Sequence, residues 1–243
     1  THGQFGNIYA MATIISSVLL IWVGKKIDEY QIFYYSFFVI ILFFLSSLFF
    51  SFINSIFLLA IGIFLMRFSG QGLMSHTSTT TISRFFEKSR GKALSTIWFG
   101  LSSAEFILPV FVTYFFVIYS WRTVWQGIAI IIILFLPIVI FNTIRSVKLE
   151  SREKDQNPKI NLKIKSWRRV EVIKDFRFYI VSLNMLAMPW VATGVFVYQS
   201  FITESKGWGT YVIAQSFMVY SVLTVITLLV AGFLIDKFTS RKL

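Results

Sequence analysis

The residues of this chain able to do chemistry inside an apolar layer are few. Arg67 stands near the middle of the run Ile63-Phe-Leu-Met-Arg67-Phe-Ser-Gly70-Gln71-Gly72-Leu-Met-Ser75-His76. An arginine at the centre of a bilayer costs about 3 kcal/mol on insertion scales, so it persists beside a partner or a water-filled cavity. Gln71 lies four residues on and shares its helical face, which Ser75 and Ser78 continue. Glu105 is the one acidic residue well inside an apolar segment, and a carboxyl there can be poised to take and release a proton. Arg67 is therefore a candidate contact for an anionic solute group, and Glu105 a candidate carrier of a coupled proton. The two serve equally well as a buried ion pair that fixes helix packing. His76 is a candidate proton relay, or simply a donor to a backbone carbonyl. There is no Cys, and His2 and His76 show no ligand spacing. With no paired nucleophile and base in the spans either, no enzyme activity, cofactor or metal site is expected.

The elements that position these residues must be membrane helices. The chain has 243 residues, 56% of them hydrophobic, with 28 Phe and a mean hydropathy of +0.72, too apolar for a soluble domain of this size. Seven segments are long enough to span, at 7–23, 31–50, 54–76, 93–117, 124–143, 178–201 and 211–235. Alternating them across the bilayer puts all of the 23 Lys and Arg except Arg67, Arg122 and Lys206 on one side. The positive-inside rule makes that side cytoplasmic, with the start of the chain outside and its end inside. Most of the +12 net charge is thus an orientation signal, and no nucleic-acid partner is expected. A chain that starts outside, with Thr1 and no signal peptide, is most simply explained by a missing preceding span.

The polar stretch 144–177 separates five spans from two. Within it Trp167, Val170, Ile173 and Phe176 recur every three residues between basic side chains, which suggests a short amphipathic helix on the inner membrane surface. On the first span, Ala10, Thr13 and Ser17 form a small-residue stripe that reads as a packing seam.

Two span ends repeat one another. The first closes on Gly24-Lys-Lys-Ile-Asp28 and the seventh on Gly232-Phe-Leu-Ile-Asp236-Lys237, with Arg241 and Lys242 following. The copies lie six crossings apart, so a six-span unit is the natural repeat. At these residues the chain resembles the major facilitator superfamily of secondary transporters, whose loops carry a Gly-x-Leu-x-Asp-Arg/Lys-x-Gly-x-Arg/Lys motif. The second copy keeps Gly232, Leu234, Asp236 and Lys237 but has Thr239 at the later Gly; the first has Glu29 and Gln31 at the basic and later Gly positions. Arg67-Phe-Ser-Gly70-Gln71-Gly72 resembles the family's fourth-helix arginine motif, Arg90-Gly91-Lys92-Ala93 its helix 4–5 loop, and Trp121-Arg122 the start of its helix 6.

The resemblance implies an all-α, polytopic helical bundle whose seven spans correspond to helices 2–8 of twelve in an incomplete chain. Residues 1–143 would form the N-terminal bundle without its first helix, 144–177 the cytoplasmic inter-bundle loop, and 178–243 the start of the C-terminal bundle. It further implies alternating access around a central cavity, with helix 7 lining it, so that Asn184 and Trp190 become candidate solute contacts. Gly24, Asp28, Arg90, Gly232, Asp236, Lys237 and Arg241 would belong to a cytoplasmic gate. The expected partners are a small solute, protons and the lipid of a bacterial inner membrane, with the full-length protein a monomer. A heptahelical receptor or photoreceptor shares this topology, but the last span has no Lys for a retinal Schiff base and such a protein gives the Gly-x-x-x-Asp repeat no reason to recur.

Overall fold

A computed structural model of the chain describes residues 2–85, 90–143, 169–209 and 211–238. Every regular element among them is helical. α1 (His2–Val23) runs into a 3-10 turn (Gly24–Asp28), followed by α2 (Ile32–Phe50) and α3 (Ile56–Met66). A π-helical segment (Arg67–Met74) then leads into α4 (Ser75–Phe85), α5 (Arg90–Ile118), α6 (Trp121–Thr143), α7 (Arg169–Lys174), α8 (Phe176–Lys206) and α9 (Tyr211–Phe238). Among the described residues seven stretches are long and apolar enough to cross a membrane, and α3, the π segment and α4 make one of them, Ile56–Phe85.

The third span outruns its hydropathy, which ends near residue 76. Its continuation is rich in Ser and Thr, whose hydroxyls bond back one turn along the helix. Thr77 Oγ1 donates to the Leu73 carbonyl at 2.7 Å and Thr79 Oγ1 to that of Ser75 at 2.8 Å. Hydroxyls satisfied in this way let a polar stretch stay helical.

The chain divides into two compact units, Thr1–Val147 with Trp208–Leu243, and Lys148–Gly207. In the first, α1 and α2 flank the third span, α2 also lies along α6, and α5 lies along α9. A buried cluster lies on the third span: Ile27, Tyr35, Val39, Phe68 and Leu73 are buried together, with Leu20, Val23, Leu42, Phe64 and Met74 against them. Lipid is as apolar as leucine, so small residues that admit close approach decide which helix faces meet. On α2 these are Ser36, Ser46 and Ser47, all buried. The Tyr35 hydroxyl donates to the Val23 carbonyl at 3.0 Å, where α1 gives way to the 3-10 turn. At the other end of α2, Arg122 Nη2 donates to the Ile53 carbonyl at 3.0 Å, and Phe50 and Trp125 have ring centroids 4.6 Å apart.

In the second unit, α7 contains Val170 and Ile173, and Asp175 starts α8 by accepting from the Arg177 amide at 3.0 Å. Within the 144–177 stretch the described residues hold one short helix, Arg169–Lys174, and Trp167 lies outside them. α8 closes at Gly207, whose φ of 64° is left-handed and suits a residue without Cβ.

Gly62 shows how closely α3 packs. A Cβ there would stand 2.6 Å from Ile53 Cδ1 and 3.1 Å from the Phe50 ring. Gly62→Val is expected to destabilise the fold by about 1–3 kcal/mol through overpacking. Gly100→Ala, with nothing within 4 Å of its Cβ, should leave the melt unchanged or raise it. Thermal unfolding in detergent micelles measures both.

Candidate functional site

Arg67 opens the π segment and reaches α1. Its Nε donates to Thr13 Oγ1 at 3.1 Å, and the guanidinium stands 4.6 Å over the Tyr9 ring. The Thr13 hydroxyl donates to the Tyr9 carbonyl at 2.8 Å, so its proton is committed to α1 and its oxygen is free to accept from Arg67. Tyr9 and Thr13 stand one helical turn apart and together hold the cation by one hydrogen bond and one ring face. Among the described residues the two Nη groups have no hydrogen-bond or ion-pair partner. Gln71, Ser75 and Ser78 on the same span are exposed, which leaves an uncovered polar face running from Arg67 into α4.

The stripe Ala10–Thr13–Ser17 is not a packing seam. Ala10 and Ser17 are exposed, while Ala12 and Ser16 are the buried small residues of α1. Thr13 acts as the hydrogen-bond partner of Arg67. Spacing showed that small residues share a helical face; it did not show which face turns inward. The sequence reading also passed over Tyr9, for which the one available signal was its place a turn before a hydroxyl residue.

Glu105 does not meet Arg67. It lies on α5, half-buried, and α5 packs against α9 and α4, whereas the π segment packs against α1 and α2. Among the described residues Glu105 has neither an ion pair nor a hydrogen bond. Similar depth on successive spans therefore did not amount to contact, because α5 and the π segment pack against different helices. The neighbouring Ser102 is buried, as is Ser221 on α9.

His76 is half-buried in α4 with Nδ1 enclosed and without a hydrogen-bond partner. Its ring lies against Gly24, where an added Cβ would be 3.6 Å from Cε1. Nearby, Asp28 is ion-paired with Arg84 near the end of α4, and Arg84 Nη1 also donates to the Ile27 carbonyl at 3.3 Å. Arg84 is thus a partner of the first motif that the sequence reading did not single out. Glu29 accepts from Lys26 Nζ at 2.9 Å, and this bond holds its carboxyl below the usual carboxylate range. The contact is therefore present at neutral pH and is lost as pH falls through that lowered value.

Asn184 and Trp190 lie on α8, in the second unit. The Asn184 amide donates to the Ile180 carbonyl at 3.0 Å, and Trp190 is 81% exposed. Arg90 opens α5, and Gly232, Asp236 and Lys237 lie in the last turns of α9; their side chains, and Arg241 altogether, lie outside what is described. Among the described residues no three His, Asp or Glu side chains converge as metal ligands.

A chain with these membrane-length helices and an arginine-bearing span is matched over residues 1–243 by the family model described as Major Facilitator Superfamily. The chain belongs to the major facilitator superfamily. It is accordingly an integral membrane transporter that handles a small solute, a conclusion that favours the transporter over the heptahelical receptor. No curated protein and no solved structure matches it.

Thr13→Val keeps the side-chain shape and removes the acceptor, leaving a part-buried charged donor unsatisfied. It should cost about 1–3 kcal/mol, and Thr13→Ser should restore most of it, as read from thermal unfolding midpoints.

Proposed function

We propose that this superfamily member moves a small organic anion across the membrane by alternating access, with Arg67 as the anion contact. The observation that carries this reading is the unshared part of the Arg67 guanidinium. Thr13 and Tyr9 fix the group through Nε and one face, while both Nη groups are without a partner among the described residues, beside an exposed polar stripe. A guanidinium fixed in this way offers two parallel N–H donors to a carboxylate or phosphate, and its restrained rotamer reduces the entropy lost on binding.

Gln71 extends the anion site by one turn, and Asn184 and Trp190 on α8 are further solute contacts. Glu105 carries the coupled proton. Its half-burial in a span, with no cationic partner among the described residues, supports that role. His76 relays protons towards the cytoplasmic end. There Gly24, Asp28 and Arg90 from the first bundle, with Gly232, Asp236, Lys237 and Arg241 from the second, form the gate. The reading takes 1–143 and 178–243 as bundles that rock against one another, joined by 144–177. The reading places the protein in a bacterial inner membrane, as a monomer, with Thr1 outside and Leu243 inside.

Uptake of a panel of radiolabelled organic anions into proteoliposomes, with and without an imposed proton gradient, tests this function. Arg67→Gln should lower uptake at least tenfold for every anion transported, and Arg67→Lys should recover part of it. Glu105→Gln should abolish acceleration by the gradient while leaving anion exchange intact. Full uptake by Arg67→Gln, or a full gradient effect in Glu105→Gln, would remove the corresponding role.

A further inference from the structure

The π segment Arg67–Met74 joins two α-helical stretches of a single span. A π turn holds an extra residue and bonds each amide to the carbonyl five residues back, and such turns are rare. This one is held by its neighbours. Ser69 Oγ lies 2.7 Å from the Leu65 carbonyl and 3.0 Å from Ser46 Oγ on α2. Phe43 presses against Gly70, where a Cβ would come within 2.8 Å of its ring. A Cβ on Gly72 would stand 3.4 Å from the Arg67 carbonyl, which the wide turn brings alongside.

The two ends of the span grip different parts of the first helix and its turn. Upstream, Arg67 is fixed to Thr13 and Tyr9. Downstream, His76 lies on Gly24 and Arg84 pairs with Asp28. The winding between them sets which face of α4 turns inward, and with it the register of both downstream contacts.

We infer that Arg67–Met74 is a register switch, whose π-wound state holds His76 against Gly24 and Arg84 against Asp28 and whose α-wound state releases both. Rewinding to α turns α4 by one residue's worth, about 100°. Leu73, Thr77 and Thr81, now buried, are then replaced on the inward face by Gly72, His76 and Thr80. That set packs less apolar volume, so the π state prevails in this conformation. Packed helices tend to occupy discrete arrangements, which makes a one-residue step a natural unit of movement. The inference concerns the span that carries the proposed anion contact but not its ligand, so the two can fail separately.

The absence of cysteine makes the test direct. Thr77→Cys and Ser78→Cys, each a single cysteine in the reconstituted protein, are labelled with a charged methanethiosulfonate reagent. Thr77 is buried and Ser78 exposed, so position 77 should react slowly and position 78 fast. Adding Gly72→Ala favours α winding, because Ala is the stronger α-helix former. Position 77 should then react at least tenfold faster and position 78 more slowly, as each takes the azimuth of the next residue. Deleting Gln71 removes the extra residue and leaves α winding with the flanks in place, so it should restore slow labelling at 77 even with Gly72→Ala. Unchanged rates in a folded Gly72→Ala protein would overturn the switch, as would a Gln71 deletion that fails to fold or fails to restore the pattern.

Discussion

The placement of one cation organises this bundle. Arg67 lies in a span that is apolar on its upstream side, and its charge must be met without returning the residue to bulk water. Among the described residues it is met by one hydroxyl and one aromatic face. A carboxylate partner would neutralise the charge and close the site. A threonine oxygen and a tyrosine ring orient the guanidinium while leaving its charge available. That distinction separates a structural arginine from one that can serve a solute.

The local winding follows from the same place. The span changes from α to π at Arg67 and returns to α at Ser75, and the glycines at 70 and 72 make room for a ring and a carbonyl on opposite sides of the widened turn. Close approach of α2 at Gly70, the serine contact between Ser46 and Ser69, and the buried Leu73 hold the segment in its surroundings. Helix association in lipid depends on such fits, because burying apolar side chains against one another instead of lipid gains little. The region near the proposed ligand therefore also borders the buried cluster of the first unit.

The far end of the third span shows why its length matters. Arg84 reaches Asp28 and the Ile27 carbonyl only because the helix continues through the Thr-rich stretch beyond residue 76. The polar continuation thus ties the first two spans to the third at one end of the bundle, while Arg122 and Trp125 tie α6 to the α2–α3 connection at the other.

Hydropathy alone marked seven membrane-length helical segments in this chain, because a membrane helix is recorded locally as a run of apolar residues. The Gly-x-x-x-Asp repeat and the arginine motif were legible for the same reason, as short patterns at span ends and in one span, and they pointed to the family that the match over residues 1–243 establishes. Arg67 announced itself through its cost in an apolar layer. Its partners did not: Tyr9 and Thr13 lie more than fifty residues away, and nothing in their own neighbourhood marks the face they share with Arg67. Glu105 looked like the natural counter-charge because depth can be read from position along a span, whereas azimuth around the bundle cannot. The π winding was equally hidden, since it depends on Phe43, Ser46 and Leu20 arriving from other helices. Composition determined which segments enter the membrane; only tertiary packing decided which of their faces meet, because the side chains that choose between faces come from distant parts of the chain.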